Sequence, residues 1–404
     1  MKILQVNKFY YNRRGAEKYM LALSEELTKA GHQVAVFSMQ HPKNLPSIWS
    51  KYFISRLSFN EGKFFDKLKM LSRLFYSFEA KRKFRALIND FKPDLIHIHN
   101  IYHHISPSIL DVARKYKIPV VMHVHDYKLI CPNYKLFVKG KECERCKKTL
   151  YYNCVVNRCV NGSLSRSIGA TLEMYLHNVI LKIYRKSLTR LISPSKFMKE
   201  QFVAFGWPAE MINVVYNSYD NNLLGEKLDE DDYLLYFGGL SEEKGIETLI
   251  KAAAKINAKT KIVGDGRQDK ELKKLAKQLT APVEFCGFKS GDNLKKLILK
   301  AKAIIIPSIW PENMPLSLLE SLSLGKIVIA SNIGGIPELI QDSLNGFLFE
   351  AGNCDDLIEK IKQLERLDAN QKEKIKQAAK LSIKEFNGQN NLDDVLKIYS
   401  EILK

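Results

Sequence analysis

At 404 residues, 46% hydrophobic and 26% charged, the chain is too long for one ordinary core and is expected to fold as two domains. No run approaches the roughly 18 uncharged apolar residues that would span a bilayer, and the first six residues read as a strand rather than a signal peptide, so a cytoplasmic protein is expected. The net charge of +19 is uneven: residues 1–230 hold 37 Lys/Arg against 19 Asp/Glu, residues 231–404 hold 26 against 25. No nucleic-acid module accompanies the excess, which argues against nucleic acid as a partner and leaves an anionic surface.

In chain order, short β-branched runs alternate with helical stretches. Strands are expected at 3–6, 33–38, 94–99, 120–124 and 191–193, then at 233–237, 261–264, 283–286, 304–307 and 327–330. Continuous apolar runs with helices between them mark parallel sheets covered on both faces. The fold class is therefore α/β, doubly wound. The Asn/Asp-rich stretch 217–232 reads as a linker, giving an N-terminal domain over 1–217, a second over 218–390 and a last helix, 391–404, expected to pack back on the first. Ligands of such sheets bind beyond the carboxyl ends of the strands, so chemistry is sought in the residues that follow each strand.

Three features stand out in the first domain. Residues 51–92 carry eleven Lys/Arg, four Asp/Glu and ten aromatics, among them Phe64, Phe65, Phe75, Tyr76 and Phe84. This is either a solvated helical face over core aromatics or a surface drawn to anionic lipid headgroups or a phosphorylated lipid acceptor. His97, His99, His103, His104, His123 and His125 crowd two strands, but their spacing gives no metal-ligand pattern. Five of the seven cysteines, Cys131, Cys143, Cys146, Cys154 and Cys159, fall within 29 residues. Cys-x-x-Cys at 143 and 146 in an intracellular protein favours a thiolate metal site over disulfides. Structural zinc, free thiols and an iron–sulfur or redox arrangement are the alternatives.

The most informative stretch of the second domain runs from Ile304 to Glu320. A buried strand ends at Pro307, a loop presents Glu312, Pro315 suits a first helical turn where its missing N–H is no loss, Glu320 lies on that helix and Gly325 ends it. The helix start offers N–H groups to phosphate, and carboxylates accept ribose or sugar hydroxyls. The plain alternative is a capping acid and a solvated glutamate.

Two glutamates separated by seven residues and followed by Gly325-Lys326-Ile327-Val328-Ile329-Ala330-Ser331 resemble the signature of family 4 retaining glycosyltransferases, which have the GT-B fold. Gly31-His32-Gln33-Val34, Glu243-Lys244-Gly245-Ile246, Gly264-Asp265-Gly266 and Gly334-Gly335-Ile336-Pro337-Glu338 resemble further family pieces, in the family's order. Arg13-Arg14-Gly15-Ala16-Glu17 resembles its Gly-Gly-Ala-Glu loop.

The resemblance implies two Rossmann-like domains facing across a cleft and transfer of a sugar, with retention, from a nucleoside diphosphate sugar (UDP- or GDP-linked) to a hydroxyl of a glycan or lipid-linked acceptor. No cofactor or metal would be needed for catalysis. By position, His125 and Glu312 would contact the transferred sugar, Lys244 the diphosphate and Glu320 the ribose. Arg14, Gly15, Gly239, Gly264 and the helix start at Met314, Pro315, Leu316 and Ser317 would also line the donor. Some members carry a similar insertion over about 131–160, which picks out Cys131, Cys143, Cys146 and Cys159 as ligands of a structural zinc. The implied setting is polysaccharide or lipid-linked glycan synthesis, and the expected location is the cytoplasm, either free or peripheral at the inner face of the plasma membrane.

Two departures touch the phosphate site. Gly239 stands where the family usually has arginine, and Arg14 replaces the first glycine of the Gly-Gly-Ala-Glu loop. Arg14 is either a solvated loop residue or a replacement for the lost phosphate contact. A lapsed glycan- or nucleotide-sugar-binding module and a related GT-B epimerase or phosphorylase are the rival readings. A dehydrogenase is disfavoured because no Gly-x-Gly-x-x-Gly follows the first strand.

Overall fold

The amino-terminal β1 (Lys2–Val6) is buried along four of its five residues and becomes a central strand of a parallel sheet. Its neighbours are β2 (Gln33–Phe37), β3 (Leu95–Ile98), β4 (Val120–His123), β7 (Arg190–Ser193) and β8 (Ile212–Val214), in the order β2-β1-β3-β4-β7-β8. All pairings are parallel. Between β4 and β7, β5 (Phe137–Val138) and β6 (Lys141–Glu142) form a small antiparallel hairpin. The second parallel sheet contains β9 (Leu234–Phe237), β10 (Thr260–Val263), β11 (Val283–Gly287), β12 (Ala303–Ile306), β13 (Val328–Ser331) and β14 (Phe347–Phe349), in the order β11-β10-β9-β12-β13-β14. This computed structural model describes residues 1–56, 73–219 and 228–404.

The chain divides into two compact units. The first contains Met1–Leu136, Cys143–Tyr216 and Gln389–Lys404, the second Phe137–Glu142 and Asn217–Gly388. In the first core Ile3, Leu95, Val121 and Ile192 of the sheet meet Tyr19, Leu23 and Leu27 of the helix Gly15–Lys29, and Leu392, Val395, Ile398 and Tyr399 of the C-terminal helix Gly388–Leu403. In the second, Leu234, Ile262, Ile305, Ile329 and Phe347 pack against Leu249, Leu272, Leu357 and Ile361.

The expected strands agree with these to within a residue or so at either end. Sequence reasoning missed β8 and β14, three-residue edge strands, and the two-residue β5 and β6, all too short to show a run. Of the basic segment 51–92, Phe64 and Phe65 lie outside the described residues. Its described end forms the helix Phe78–Phe91, capped by Ser77, with Phe84, Leu87, Ile88 and Phe91 buried and Arg82 and Arg85 exposed. That end carries exposed basic side chains over buried apolar ones, with Phe78 exposed. Of the expected linker, residues 220–227 also lie outside the described residues.

Candidate functional site

In the second unit, distant pieces of sequence converge on Glu312. Gly245 has φ +63, and a Cβ there would stand 1.9 Å from the Pro307 carbonyl oxygen. Glycine thus lets the turn Glu242–Lys244 lie against the loop that follows β12. The Ile309 N–H donates to the Glu243 carbonyl at 2.9 Å, fixing that contact. On the other side Gly334 has φ +63, and a Cβ would come within 2.3 Å of the Glu312 carbonyl oxygen, to which the Gly335 N–H donates at 2.7 Å. The Lys244 ammonium donates to Glu312 Oε1 at 2.5 Å, the Ser308 hydroxyl to the same oxygen at 2.6 Å, and Lys244 stands 5.3 Å from the centre of the Trp310 ring. Glu312 is 2% exposed. A carboxylate so placed requires its cationic partner, because an uncompensated buried charge is costly.

The other donor candidates of the second unit lie at the helix that follows Glu312 and on the loops after β9 and β10. Pro315 is the N-cap of the helix Leu316–Ser323 rather than its first residue as expected; its ψ of 125° keeps it extended, and no side chain caps the helix. Met314 is buried: the Asn217 backbone N–H donates to its sulfur at 3.2 Å and the Asn217 side chain to its carbonyl at 3.2 Å. Its side chain therefore serves packing. Leu316, Ser317 and Glu320 are half-buried, and Gly325, φ +66, follows the end of the helix. Gly264 has a packing reason of its own, since a Cβ there would lie 1.8 Å from the Gly238 carbonyl. At Gly239 a Cβ would meet nothing within 4 Å, so space does not dictate the missing arginine.

In the first unit Arg14 is the exposed N-cap of the helix Gly15–Lys29 and Gly15 its first residue. His125 follows β4. Side chains two apart on a strand share a face, so His97 and His99 after it line up beside His123 and His125. Ring centres are 4.5 Å apart for His97/His99 and for His123/His125, and 5.2 Å for His99/His125. Tyr19 covers His123 at 4.4 Å. The Tyr399 hydroxyl is 2.5 Å from His97 Nδ1, His99 Nε2 is 2.8 Å from Gln5 Oε1, and His99 Nδ1 is 2.9 Å from His125 Nε2. Burial depresses all four rings, His97 and His125 to about 3 and His99 and His123 well below their ordinary value. The ladder is neutral at physiological pH.

Beside it lies a second buried polar cluster that the sequence did not disclose. The Lys128 ammonium donates to Glu173 Oε2 at 2.8 Å, and His103 Nε2 is 3.2 Å from the same oxygen. Burial pushes Glu173 up, but Lys128 and then His103 outweigh it and bring it down to about 2. The Lys128 N–H also donates to Asp126, whose own carboxyl burial pushes up. Gln5 and Lys128 were likewise missed, because neither belongs to a motif and only tertiary packing brings them into place; Ser308 and Trp310 lie within the stretch 304–320 but were given no role there.

The cysteines differ from the zinc expectation. Cys131 Sγ donates to Asn133 Oδ1 at 2.9 Å, and burial raises its thiol to about 11. Cys154, which the implied ligand set omits, is hydrogen-bonded to Cys159, and that bond lowers it to about 7. Cys131, Cys143, Cys146, Cys154 and Cys159 lie close enough to shift one another's thiols, and among the described residues no group of three or more His, Cys, Asp or Glu is placed to hold a metal ion. As arranged here these thiols do not fit a closed tetrahedral site.

The family model for Glycosyltransferase Family 4 matches residues 13–223, and that for Glycosyl transferases group 1 matches residues 225–382. The chain belongs to glycosyltransferase family 4. This family 4 chain is 28% identical over 367 residues to an uncharacterized 42.6 kDa protein in the cps region of Klebsiella pneumoniae, covering 87% of this chain and 90% of that one. It is 29% identical over 222 residues to a lipopolysaccharide 1,2-N-acetylglucosaminetransferase of Salmonella typhimurium, covering 48% of this chain and 58% of that one. Among solved structures, HepE of Anabaena in complex with UDP and glucose superposes with a TM-score of 0.71 at 19% identity, over 99% of this chain and 100% of that one. The fold is GT-B, and the protein is a glycosyltransferase.

Proposed function

We propose that this glycosyltransferase moves a sugar, with retention of configuration, from a nucleoside diphosphate sugar to a hydroxyl of a glycan or lipid-linked acceptor. The observation that carries this reading is the convergence of Lys244, Ser308 and Gly334 on the buried Glu312, beside an uncapped helix start suited to phosphate. Glu320, one turn into that helix, is assigned to the ribose. Glu312 and His125 are assigned to hydroxyls of the transferred sugar. As the bond from the anomeric carbon to the diphosphate breaks, negative charge grows on the leaving oxygen, and Lys244 and the helix N–H groups stabilise it. The acceptor oxygen forms the new bond from the same face and its proton passes to the departing phosphate. The Anabaena relative was solved with UDP, which makes uridine the first base to try. A thermal-shift panel of UDP- and GDP-sugars, followed by an assay for nucleoside diphosphate release with an acceptor present, tests the reading. Stabilisation and release with one donor support it; neither with any donor removes it.

A membrane-surface acceptor has support of its own. Leu164, Ile168 and Leu172 recur every four residues along the helix Leu164–Met174 and are 47%, 41% and 54% exposed. They form an unpartnered apolar stripe. Arg158, Arg166 and Lys182 are exposed nearby, and the buried Glu173 is the only acidic residue between 145 and 199. An apolar stripe in basic surroundings suits the interface of an anionic bilayer. Among the described residues no helix is long and apolar enough to cross a membrane. Vesicle flotation is expected to rise with anionic lipid, to fall with salt, and to drop at least severalfold when Ile168 and Leu172 are both changed to glutamate. Equal flotation on neutral and anionic vesicles contradicts the assignment.

A further inference from the structure

We propose that Gln5 and His99 act as positioning residues that fix the tautomer of His125. The inference rests on the reading above for the importance of His125, but its core is a statement about protons that requires no donor. Gln5 on β1 and His99 after β3 are both fully buried. A carbonyl oxygen only accepts, so His99 Nε2, 2.8 Å from Gln5 Oε1, carries the proton. Burial keeps His99 neutral, and a neutral imidazole with its proton on Nε2 has a lone pair on Nδ1. That lone pair is 2.9 Å from His125 Nε2, which must then be the donor. His125, neutral by burial as well, is left with its proton on Nε2 and an accepting lone pair on Nδ1. A sugar hydroxyl that meets Nδ1 therefore donates to it.

The fold holds each member of this chain in place. Gln5 pairs in register with His97 across β1 and β3, His97 meets the Tyr399 hydroxyl of the C-terminal helix, and Tyr19 packs on the face of the ladder. The same hydrogen-bond logic orients metal-bound and catalytic histidines, where the partner of one ring nitrogen sets the state of the other.

The test is long-range proton–nitrogen correlation NMR on the full chain labelled with nitrogen-15 at histidine, without donor. Wild type is expected to show both His99 and His125 protonated at Nε2. Gln5→Leu removes the acceptor and is expected to give a mixture of tautomers at both rings, with turnover reduced about tenfold, the scale of one misdirected hydrogen bond. Gln5→Glu keeps an acceptor at that point. It is expected to restore the Nε2 tautomers and most of the turnover, and to move the acid limb of the pH–rate profile upward, because a buried carboxylate favours protonation of the ladder. Finding His125 protonated at Nδ1 in wild type, or unchanged tautomers in Gln5→Leu, overturns the proposal, and the wild-type spectrum decides it even if Gln5→Leu does not fold. If the tautomers respond as described while turnover does not, the relay stands and it is the assignment of His125 to the donor that falls.

Discussion

Replacing Glu312 by glutamine is expected to lower turnover about a hundredfold or more while leaving the fold and nucleotide binding nearly intact. Glutamine preserves the shape of the side chain and still offers Oε1 to Ser308, but it removes the charge that holds Lys244. Loss of one preorganised polar group at a reacting centre commonly costs 10²–10³ in rate. Lys244→Met should behave differently. It strands the carboxylate of Glu312, whose side chain is 3% exposed against 26% for that of Lys244. Breaking a fully buried pair costs about 3–5 kcal/mol, and the partial exposure of the ammonium reduces that figure, so melting temperature and turnover should fall together. The double variant Lys244→Met, Glu312→Gln should regain most of the melting temperature but none of the rate. Melting curves and steady-state kinetics on the four proteins check this, and the non-additivity measures the pair. A Lys244→Met protein with wild-type stability and turnover contradicts the assignment.

The second large effect is acid sensitivity of the first unit well above the pH at which carboxylates titrate. His97, His99 and His123 are completely buried, and burial holds their folded pKa values far below those of an unfolded chain. Above about pH 6.5 both states are neutral and the ladder makes no pH-dependent contribution. As pH falls below that value the unfolded chain takes up protons that the folded chain refuses, so stability is lost continuously down toward about pH 3. The slope is about 1.4 kcal/mol per pH unit for each such histidine. The unfolded rings are half protonated at about pH 6.5, so three together lose about 3 kcal/mol between pH 6.5 and 5.5, a large part of the stability of an ordinary domain. Glu79 and Glu173, both lowered to about 2, add losses only below roughly pH 4.5 and so do not confuse this window. Among the described residues His123 has no hydrogen-bond partner at either ring nitrogen, so His123→Leu should flatten the slope by one proton and raise stability at pH 5.5. Urea melts from pH 7.5 to 5 give the slope directly; a flat profile would show that the ladder accepts protons without cost.

Both proposals depend on features that the sequence displays unequally. The two sheets were legible because their strands are continuous apolar runs such as Ile304-Ile305-Ile306, whose periodicity needs no partner to be recognised. Glu312, Lys244 and Gly334 were legible as pieces of motifs, but their relation was not. Only the close approach of Gly245 to Pro307 and of Gly334 to Glu312 explains why those glycines belong to the same site. The histidines were visible as a cluster, and their alternate spacing fits His97 and His123 on strands with His99 and His125 just beyond them, yet their arrangement as a stacked ladder depends on Gln5 and Tyr399, 394 positions apart. Likewise, Glu173 and Lys128 carry no local signal, because an ion pair across 45 residues is a product of packing alone. The cysteine spacing pointed to a metal; the fold gathers these thiols and joins Cys154 to Cys159 by a hydrogen bond, a link that spacing along the chain does not disclose.

Calorimetric titration of UDP and GDP into the wild-type chain and into Glu320→Ala tests the central claim most directly. A carboxylate accepting two ribose hydroxyls contributes charge-assisted hydrogen bonds of about 1.5–3 kcal/mol. One of the two nucleotides should therefore bind the wild type and bind Glu320→Ala roughly ten- to a hundredfold more weakly. Failure of both nucleotides to bind the wild type, or equal affinity in the variant, would contradict a nucleotide-sugar site at the helix Leu316–Ser323.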